Sequence, residues 1–252
     1  MSKVLIYDIE TAPIIGTVWG KYEQNLIWSV QDWYMLCFAY KWLGEKKTHV
    51  IAQPDFRGYK AGSADDYKVV EKLWQLFNEA DIVVAHNGDS FDQKKSQARM
   101  ILLGFDPPAP YQQVDTKKVA KRYFNFTSNK LDDLGEYFKV GKKHKTDADL
   151  WRGCMAGDKK SWDYMKKYNV QDVILLEKIY LKMLPWHTTH PNMANIEGRP
   201  DICPRCSASK GFLAQGFRLT KVARYRRWQC KSCGAYVSNR GKAPERTSPD
   251  YV

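Results

Sequence analysis

The sequence predicts an α/β fold, in which a mixed β-sheet is flanked by helices, with a small four-cysteine module at the C-terminus. Short β-branched runs such as residues 4–9 are interspersed with longer amphipathic segments such as residues 65–79. Hydrophobic residues make up 44% of the 252 residues, so a sizeable core can form. Two C-x-x-C pairs in the last fifth of the chain indicate a separate metal-binding unit.

Four strands are expected in the sheet. Residues 4–9 alternate and are β-branched, which is typical of a strand. Residues 35–43 and 48–52 follow, and the Gly-containing turn between them indicates an antiparallel meander. A short apolar run at residues 81–85 predicts a buried strand.

Helices are expected between and after these strands. Residues 65–79 carry an apolar stripe at helical spacing, and residues 93–103 end at Gly104. Apolar side chains at 131, 134 and 138 indicate another helix, and residues 158–183 predict a long one. Three strands, a helix, a strand and then helices describe a ribonuclease-H-like α/β layer fold.

Changes in composition predict the domain boundaries. Residues 1–185 form the ribonuclease-H-like domain, and residues 186–200, rich in His, Pro, Asn and Gly, form a linker. Residues 201–238 form the cysteine module. Residues 239–252 are polar and contain proline, so a disordered tail is expected.

The net charge of +12 is concentrated near the C-terminus, where residues 186–252 contain 12 Lys and Arg against 4 acidic residues. A positive field of this kind attracts polyanions, among which nucleic acid is the usual one. A solvated basic tail is the alternative. No apolar run reaches about 18 residues, so no membrane partner is expected. The N-terminus shows no signal-peptide pattern, which favours a cytoplasmic protein with reduced thiols.

Acidic residues and one tyrosine form the main functional signal, which is spread over three separated motifs. Asp8 and Glu10 lie two apart on the first strand and therefore project to the same face. Asp92 falls where the strand at residues 81–85 has ended and a helix begins. Tyr168 and Asp172 share a helix face at i, i+4. Such residues at strand ends and helix starts are expected to converge.

Oxygen ligands without histidine favour two Mg²⁺ or Mn²⁺ ions over zinc in this site. Two metals can activate a water and stabilise the leaving oxygen when a phosphodiester bond is cleaved. Asp8 is the candidate to bridge both metals, while Glu10 and Asp172 complete the hydrolytic site. Asp92 is expected to hold the second metal through water, and the hydroxyl of Tyr168 to orient the attacking water without ionising.

The three motifs resemble those of the DEDD (DnaQ-like) superfamily of 3′–5′ exonucleases. The resemblance covers residues 1–185 and rests on Asp8-x-Glu10, Asn87-x-x-x-Phe91-Asp92 and Tyr168-x-x-x-Asp172. Lys167 stands where the other branch of the superfamily carries histidine, so the chain is similar to the tyrosine branch. The motifs look most like the exonuclease domain of family-B DNA polymerases.

This resemblance implies removal of nucleoside 5′-monophosphates from 3′ ends, with Asn87 and Phe91 lining the nucleotide pocket. The size and the basic tail are similar to stand-alone exonucleases of bacteriophages, which implies a bacterial cytosol or a phage-infected cell. Asp89 fits the second motif less well than Asp92 and is interpreted as a loop residue. Asp115 fits a helix cap as well as catalysis, and Lys143 fits a phosphate contact as well as a solvated loop.

Cys203, Cys206, Cys230 and Cys233 match the spacing of a zinc ribbon with one structural Zn²⁺. So short a module cannot build an adequate core alone, and the metal would supply much of its folding free energy. Disulfides are the alternative. Basic and aromatic side chains interleave between the two pairs, and the candidates for nucleic-acid contact are Arg224, Arg226, Arg227 and Trp228. A structural ribbon, or docking to a replication or recombination protein, is the other interpretation.

The leading hypothesis is a metal-dependent 3′–5′ exonuclease that acts on DNA, preferably at single-stranded ends. The same chemistry on RNA is the nearest alternative, since no residue clearly recognises a 2′-hydroxyl. A structure-selective endonuclease is a third enzyme hypothesis. A non-catalytic nucleic-acid-binding or recruitment protein on a nuclease fold is the hypothesis from another class, and the intact acidic residues argue against it.

Overall fold

The fold is built around a five-stranded mixed sheet with helices on both faces, as the sequence predicts. A computed structural model describes residues 2–22, 25–221 and 223–238, and the backbone of residues 245–246. The strands are β1 (Val4–Thr11), β2 (Ile15–Thr17), β3 (Trp28–Gln31), β4 (Met35–Trp42), β5 (His49–Ala52), β6 (Ile82–Ala85), β7 (Gln112–Asp115), β8 (Phe212–Leu219), β9 (Ala223–Cys230), β10 (Tyr236–Ser238) and β11 (Glu245–Arg246). The helices are α1 (Tyr67–Glu79), α2 (Asp92–Leu102), α3 (Thr116–Tyr123), α4 (Leu131–Tyr137), α5 (Ala148–Met155), α6 (Lys159–Met183) and α7 (Met193–Ile196).

The strand order in the large sheet is β5-β4-β1-β6-β7. The meander of β1, β4 and β5 is antiparallel as predicted, whereas β1, β6 and β7 run parallel. Two further strands, β2 and β3, form a hairpin between β1 and β4. None of the helices in the described part of the chain is long and apolar enough to cross a membrane.

Alternation along β1 divides the core into two layers. Val4 and Ile6 pack against α6 together with residues of α3 and α4, whereas Leu5, Tyr7 and Ile9 pack against α1 and α2 on the other face. All five side chains are buried. Because side chains two apart share a face of a strand, positions 8 and 10 continue the α6 face. The acidic residues of β1 therefore point towards α6.

Residues 186–200 connect α6 to the cysteine module and contain α7. The side chain of Asn192 caps α7, and His187 and His190 are buried. Met193 packs on the same core layer as α6, and its backbone N–H donates to the carbonyl of Pro204 at 3.0 Å. In this structure the segment predicted as a linker therefore contacts both units; the domain boundaries themselves stay a prediction.

The cysteine module is a small antiparallel sheet, in which β9 pairs with β8 and β10. Most of the tail predicted to be disordered lies outside the described residues; the backbone of β11 pairs with β9. Glu197 accepts hydrogen bonds from Ser2 and from Ser207 of the module. The module therefore lies near the N-terminal end of β1, whereas Glu10 lies near the other end, roughly 20 Å from Val4 along the strand.

Candidate active site

Three of the predicted acidic residues lie in one group, which we call the acid cluster: Asp8, Glu10 and Asp172. One carboxylate oxygen from each lies within 4.8 Å of the others. Two come from β1 and the third from the middle of α6, which packs against β1. The pairing of β1 with β4 shifts register directly after Glu10. Such irregularities in pairing re-aim side chains next to active sites.

Asp92 lies beside the acid cluster but outside its closest group. It is the first residue of α2 and is buried. The backbone N–H of Ile9, the residue between Asp8 and Glu10, donates to Asp92 Oδ1 at 3.2 Å. This hydrogen bond holds the carboxylate of Asp92 next to β1. Its negative charge contributes to raising the pKa of Asp8. The structure thus places all four predicted acidic residues at one end of β1.

Burial and mutual repulsion raise the pKa of these carboxyl groups. Burial is the main cause for Glu10, whose pKa rises to about 8, and Asp172 adds to it. Burial also raises the pKa of Asp92 to about 7, against the hydrogen bond from Ile9. For Asp8, burial and then Asp92 and Asp172 raise the pKa well above its ordinary value. A group like this needs protons or cations to offset its charge near neutral pH.

Lys143 supplies one such positive charge. Its Nζ lies 2.6 Å from Asp172 Oδ2, and its backbone N–H donates to Asp132 at 2.7 Å. Burial opposes the charge on this lysine, but the attraction of Asp172 and Tyr168 outweighs it, so the pKa is raised. The position agrees better with a role at the site than with a solvated loop.

Tyr168 lies one turn before Asp172 on α6. Lys143 Nζ is 5.0 Å from its ring centre, and the ring packs edge-on against Trp151. Burial, with the charges of Glu10 and Asp172, raises the pKa of the hydroxyl above its ordinary value. The hydroxyl therefore stays protonated at neutral pH and can donate a hydrogen bond.

Two residues at the site were missed by sequence reasoning. The amide Nδ2 of Asn169 donates to Asp8 Oδ2 at 2.7 Å, and its Oδ1 accepts a weak hydrogen bond from Cys37 Sγ at 3.8 Å. Trp151 of α5 lies close enough to Glu10 that its side chain lowers the pKa of that carboxyl group. Asn169 follows Tyr168 directly, but no spacing rule marks it, and α5 was not predicted.

The loop between β6 and α2 carries the rest of the second motif. Asn87 has a left-handed φ of 66°, and its Oδ1 accepts a hydrogen bond from Lys117 Nζ at 3.2 Å. Phe91 is partly exposed, and its backbone N–H donates to the carbonyl of Asn87 at 3.0 Å. Both stay candidates for substrate contact on the rim beside Asp92.

Asp115 acts as a helix cap. Its Oδ1 accepts hydrogen bonds from the backbone N–H groups of Lys117 and Lys118 at the start of α3. The same carboxylate accepts from the backbone of Asn87 and Asp89, so it also fixes the second-motif loop. Asp89 forms an ion pair with Lys118, which agrees with its interpretation as a loop residue.

The donor atoms of the acid cluster suit Mg²⁺ or Mn²⁺. Carboxylate oxygens are hard ligands, and the close group that could hold an ion contains no histidine or cysteine among the described residues. The raised pKa values of Asp8, Glu10 and Asp92 describe a site whose charge is not balanced by protein groups alone. Divalent cations would restore that balance.

The four cysteines of the C-terminal module form a second candidate metal site. Their sulfur atoms lie within 4.8 Å of one another, with Sγ–Sγ distances of 3.7 Å for Cys203–Cys233 and 3.8 Å for Cys206–Cys230. A tetrahedral zinc with Zn–S bonds of about 2.3 Å separates its sulfurs by about 3.8 Å. None of the four cysteines forms a disulfide in this structure, and their grouping is consistent with a zinc ribbon.

Basic and aromatic side chains line β9. The guanidinium carbon of Arg224 lies 3.4 Å from the ring centre of Phe217, and that of Arg226 lies 4.9 Å from the same ring. Arg226 also approaches Trp228, at 5.9 Å, and Arg227 stacks on a different ring. The arrangement alternates cations with flat apolar surfaces, as in proteins that bind single strands.

The fold and the acid cluster define a ribonuclease-H-like protein. Residues 36–184, more than half of the chain, match the RNase_H_2 family model of the RNase_H superfamily. The chain therefore belongs to the RNase_H superfamily. The match includes Asp92, Tyr168 and Asp172 and begins after Asp8 and Glu10.

The structure is similar to that of the family B DNA polymerase from the hyperthermophilic archaeon Pyrobaculum calidifontis. The TM-score is 0.55 with 18% sequence identity, over 74% of this chain and 25% of the polymerase chain. The chain thus spans about a quarter of that polymerase, and the likeness concerns the fold. Curated protein sequences contain no match.

Proposed function

We propose that this protein is a two-metal-ion 3′–5′ exonuclease that removes nucleoside 5′-monophosphates from DNA, preferably from single-stranded ends. Membership of the RNase_H superfamily and the fold support a nuclease. The observation that carries the proposal is the acid cluster, with three carboxylates from β1 and α6 within 4.8 Å and Asp92 beside them. The resemblance of the three motifs to DEDD exonucleases supports the direction of cleavage.

Each residue of the site has a distinct task in this proposal. Asp8, Glu10, Asp92 and Asp172 would hold two Mg²⁺ or Mn²⁺ ions. The bound metals would lower the pKa of the attacking water and stabilise charge on the phosphate. Tyr168 keeps its proton and donates a hydrogen bond that orients the water. Asn169 holds Asp8 in one orientation through its amide.

Lys143 would exchange Asp172 for a substrate phosphate when metal and substrate bind. In this structure its ammonium group offsets the charge of Asp172 at 2.6 Å. Metal binding to the same carboxylate would release the ammonium group for a substrate phosphate oxygen. This would place a positive charge beside the reacting phosphate, where charge develops during cleavage.

The cysteine module would hold one structural Zn²⁺ and present the basic side chains of β9 to the substrate. Arg224, Arg226, Arg227 and Trp228 are the proposed contacts, and the stacked geometry with Phe217 supports a single-stranded ligand. Because the module lies near the N-terminal end of β1, these contacts would fall several nucleotides from the cleaved bond. Docking to a replication or recombination protein is the alternative for this surface.

The proposal is tested by a time course on 5′-labelled single-stranded DNA and RNA, with Mg²⁺, with Mn²⁺ and without added divalent metal. Excess chelator is avoided because it would also remove metal from the cysteines. Asp8→Ala is the inactive variant. Asp89→Ala is the matched control. Asp89 is an acidic residue of the second motif, but it pairs with Lys118 and is not in the acid cluster.

A metal-dependent ladder that shortens from the 3′ end, lost in Asp8→Ala and kept in Asp89→Ala, is the expected result. The preferred sugar separates DNA from RNA as substrate. Early internal cuts, or cleavage of a circular single strand, would show an endonuclease instead. Tight binding without nucleotide release under any metal would leave a non-catalytic nucleic-acid-binding protein.

A further inference from the structure

Exposed apolar side chains are concentrated on the hairpin of β2 and β3. Of 19 large hydrophobic residues that are exposed in the described part of the chain, eight lie between Ile14 and Val30. Trp19 is 82% exposed, Tyr22 91% and Trp28 57%. Exposed apolar side chains that are concentrated in one segment point to a binding surface. The hairpin is not needed for the core, since neither of its strands pairs with the large sheet.

The base of the hairpin is attached directly to the active site. The chain enters it after Thr11, the residue that follows Glu10, and the backbone N–H of Ala12 donates to the carbonyl of Tyr34 at 2.9 Å where it returns. A cleft of about 360 Å³ runs from Ile14 at this base to Trp151. Trp151 packs edge-on against Tyr168, and its side chain lowers the pKa of Glu10, so the cleft ends beside the acid cluster.

Lys95, which lines this cleft, lies near two aromatic rings. Lys95 Nζ is 3.7 Å from the ring centre of Trp33, at the end of the hairpin, and 5.3 Å from that of Phe91. Flat rings that can stack on bases and an ammonium group that can pair with phosphate thus occur together. The ammonium group of Lys95 is partly buried, and Asp32, the residue before Trp33, also attracts it.

We propose that the hairpin binds the unpaired strand of a nucleic acid upstream of its 3′ end, with Trp19 and Tyr22 stacking on bases. Trp19 lies four positions beyond Ile15, which is at most about 13 Å along the chain. The tip would therefore contact nucleotides several positions from the one in the acid cluster. This inference rests on the proposed exonuclease function and extends the same site to longer substrates.

The test compares Trp19→Ser/Tyr22→Ser with Ile101→Ser/Leu102→Ser, a matched control of two exposed apolar residues at the end of α2. Both pairs are placed in an Asp8→Ala background, and binding of 5′-labelled oligo(dT) of 3, 6, 12 and 20 nucleotides is measured by fluorescence anisotropy without added divalent metal. Trp19→Phe is included because it keeps an aromatic ring.

We expect the hairpin pair to weaken binding of the 12- and 20-nucleotide strands about tenfold or more and to leave the 3-nucleotide strand unchanged. The control pair and Trp19→Phe should bind like the parent. Equal weakening at all lengths, or none, overturns the inference while leaving the exonuclease proposal intact. Loss of a dimer in the hairpin pair alone, seen by sedimentation, would also overturn it by identifying a second copy as the occupant.

The proposed function fails separately. A wild-type protein that neither cleaves any single strand with Mg²⁺ or Mn²⁺ nor binds one would remove both proposals together. A wild-type protein that cleaves, combined with a hairpin pair that binds all lengths normally, removes only the inference about the hairpin.

Discussion

Asn169 offers a sharp test of how the acid cluster would hold its metals. Asn169→Leu removes the amide that donates to Asp8 Oδ2 at 2.7 Å and keeps a side chain of similar size at a fully buried position. We expect metal affinity to fall while the protein stays folded. The reason is that Asp8 loses the group that fixes the orientation of its carboxylate.

The size of the effect follows from the type of hydrogen bond. A neutral amide that donates to a carboxylate contributes about 1.5–3 kcal/mol. The same amide also reaches the backbone carbonyl of Asp8, at 3.3 Å, which ties the side chain to its own strand. Loss of the partner that orients a metal ligand typically weakens metal binding about 10- to 100-fold, which corresponds to about 1.4–2.7 kcal/mol. The two ranges agree.

Mn²⁺ binding measured by calorimetry in the absence of substrate is the direct assay, and the Mg²⁺ concentration for half-maximal activity is the second. Gln171→Leu is the control, because Gln171 lies on the same helix but donates to the carbonyl of Lys142 at 3.1 Å. Asn169→Leu should raise the Kd for Mn²⁺ about 10- to 100-fold. Gln171→Leu should leave it unchanged.

An unchanged Kd for Mn²⁺ in a folded Asn169→Leu protein would refute the reasoning. It would mean that β1 and α6 hold Asp8 in place without the amide. Cys37→Ser adds a further check, because serine keeps a donor near Asn169 Oδ1. This variant should bind Mn²⁺ like the wild type.

Three further predictions concern charge and metal. Glu10→Gln should raise the Tm of the protein without Mg²⁺ or Mn²⁺ more at pH 8.5 than at pH 5. The pKa of Glu10 is about 8 in the folded protein against an ordinary 4.5, so ionisation of Glu10 destabilises the fold as pH rises from 4.5 to 8. An equal rise in Tm at both pH values would contradict this prediction. Cys206→Ser should abolish binding of one zinc per chain and make residues 201–238 sensitive to protease, and full zinc content would contradict the assignment. Arg224→Gln/Arg226→Gln should reduce the magnitude of the slope of the logarithm of the binding constant for single-stranded DNA against the logarithm of salt concentration by about 1.4. Arg199→Gln is the control, because Arg199 pairs with Asp201, and it should leave the slope unchanged. An unchanged slope in the double variant would favour a protein partner for this surface.

Local patterns were sufficient for most of the large sheet and its main helices. The β-branched alternation of β1 and the apolar run of β6 place these strands within two residues of the observed bounds. β7 was missed because its sequence, Gln-Gln-Val-Asp, has a single apolar residue. It becomes a strand through parallel pairing with β6, a contact between residues about 30 apart that no local pattern encodes.

The helices α3 and α5 were missed for a related reason. Each is eight residues long and begins after an aspartate cap, Asp115 or Asp147. From sequence alone, an aspartate is as typical of a turn as of a helix cap. The hairpin of β2 and β3 was missed because its strands are only three and four residues long and its apolar side chains are exposed. Isolated caps and exposed hydrophobic residues carry little information about packing.

Periodicity also explains which parts of the site were predictable. Asp8 and Glu10 share a face because side chains two apart on a strand point the same way. Tyr168 and Asp172 share a face because residues four apart on a helix are neighbours. Each pair could therefore be predicted from the sequence. The contacts of Asn169 and Trp151 depend instead on how closely α6 and α5 approach β1. That distance is set by the packing of buried side chains such as Met165 and Leu150, which no short motif records.

One helix joins the two candidate metal sites. The middle of α6 carries Tyr168 and Asp172. Its C-terminal part carries Tyr180, whose hydroxyl is 2.8 Å from His190 Nε2 beside the cysteine module. Arg205, between Cys203 and Cys206, donates to the carbonyl of His190 at 3.2 Å. The module is therefore held against the core by direct contacts. If β9 binds nucleic acid, it would do so at a fixed distance from the acid cluster. The fold would then determine how many nucleotides lie between the two sites.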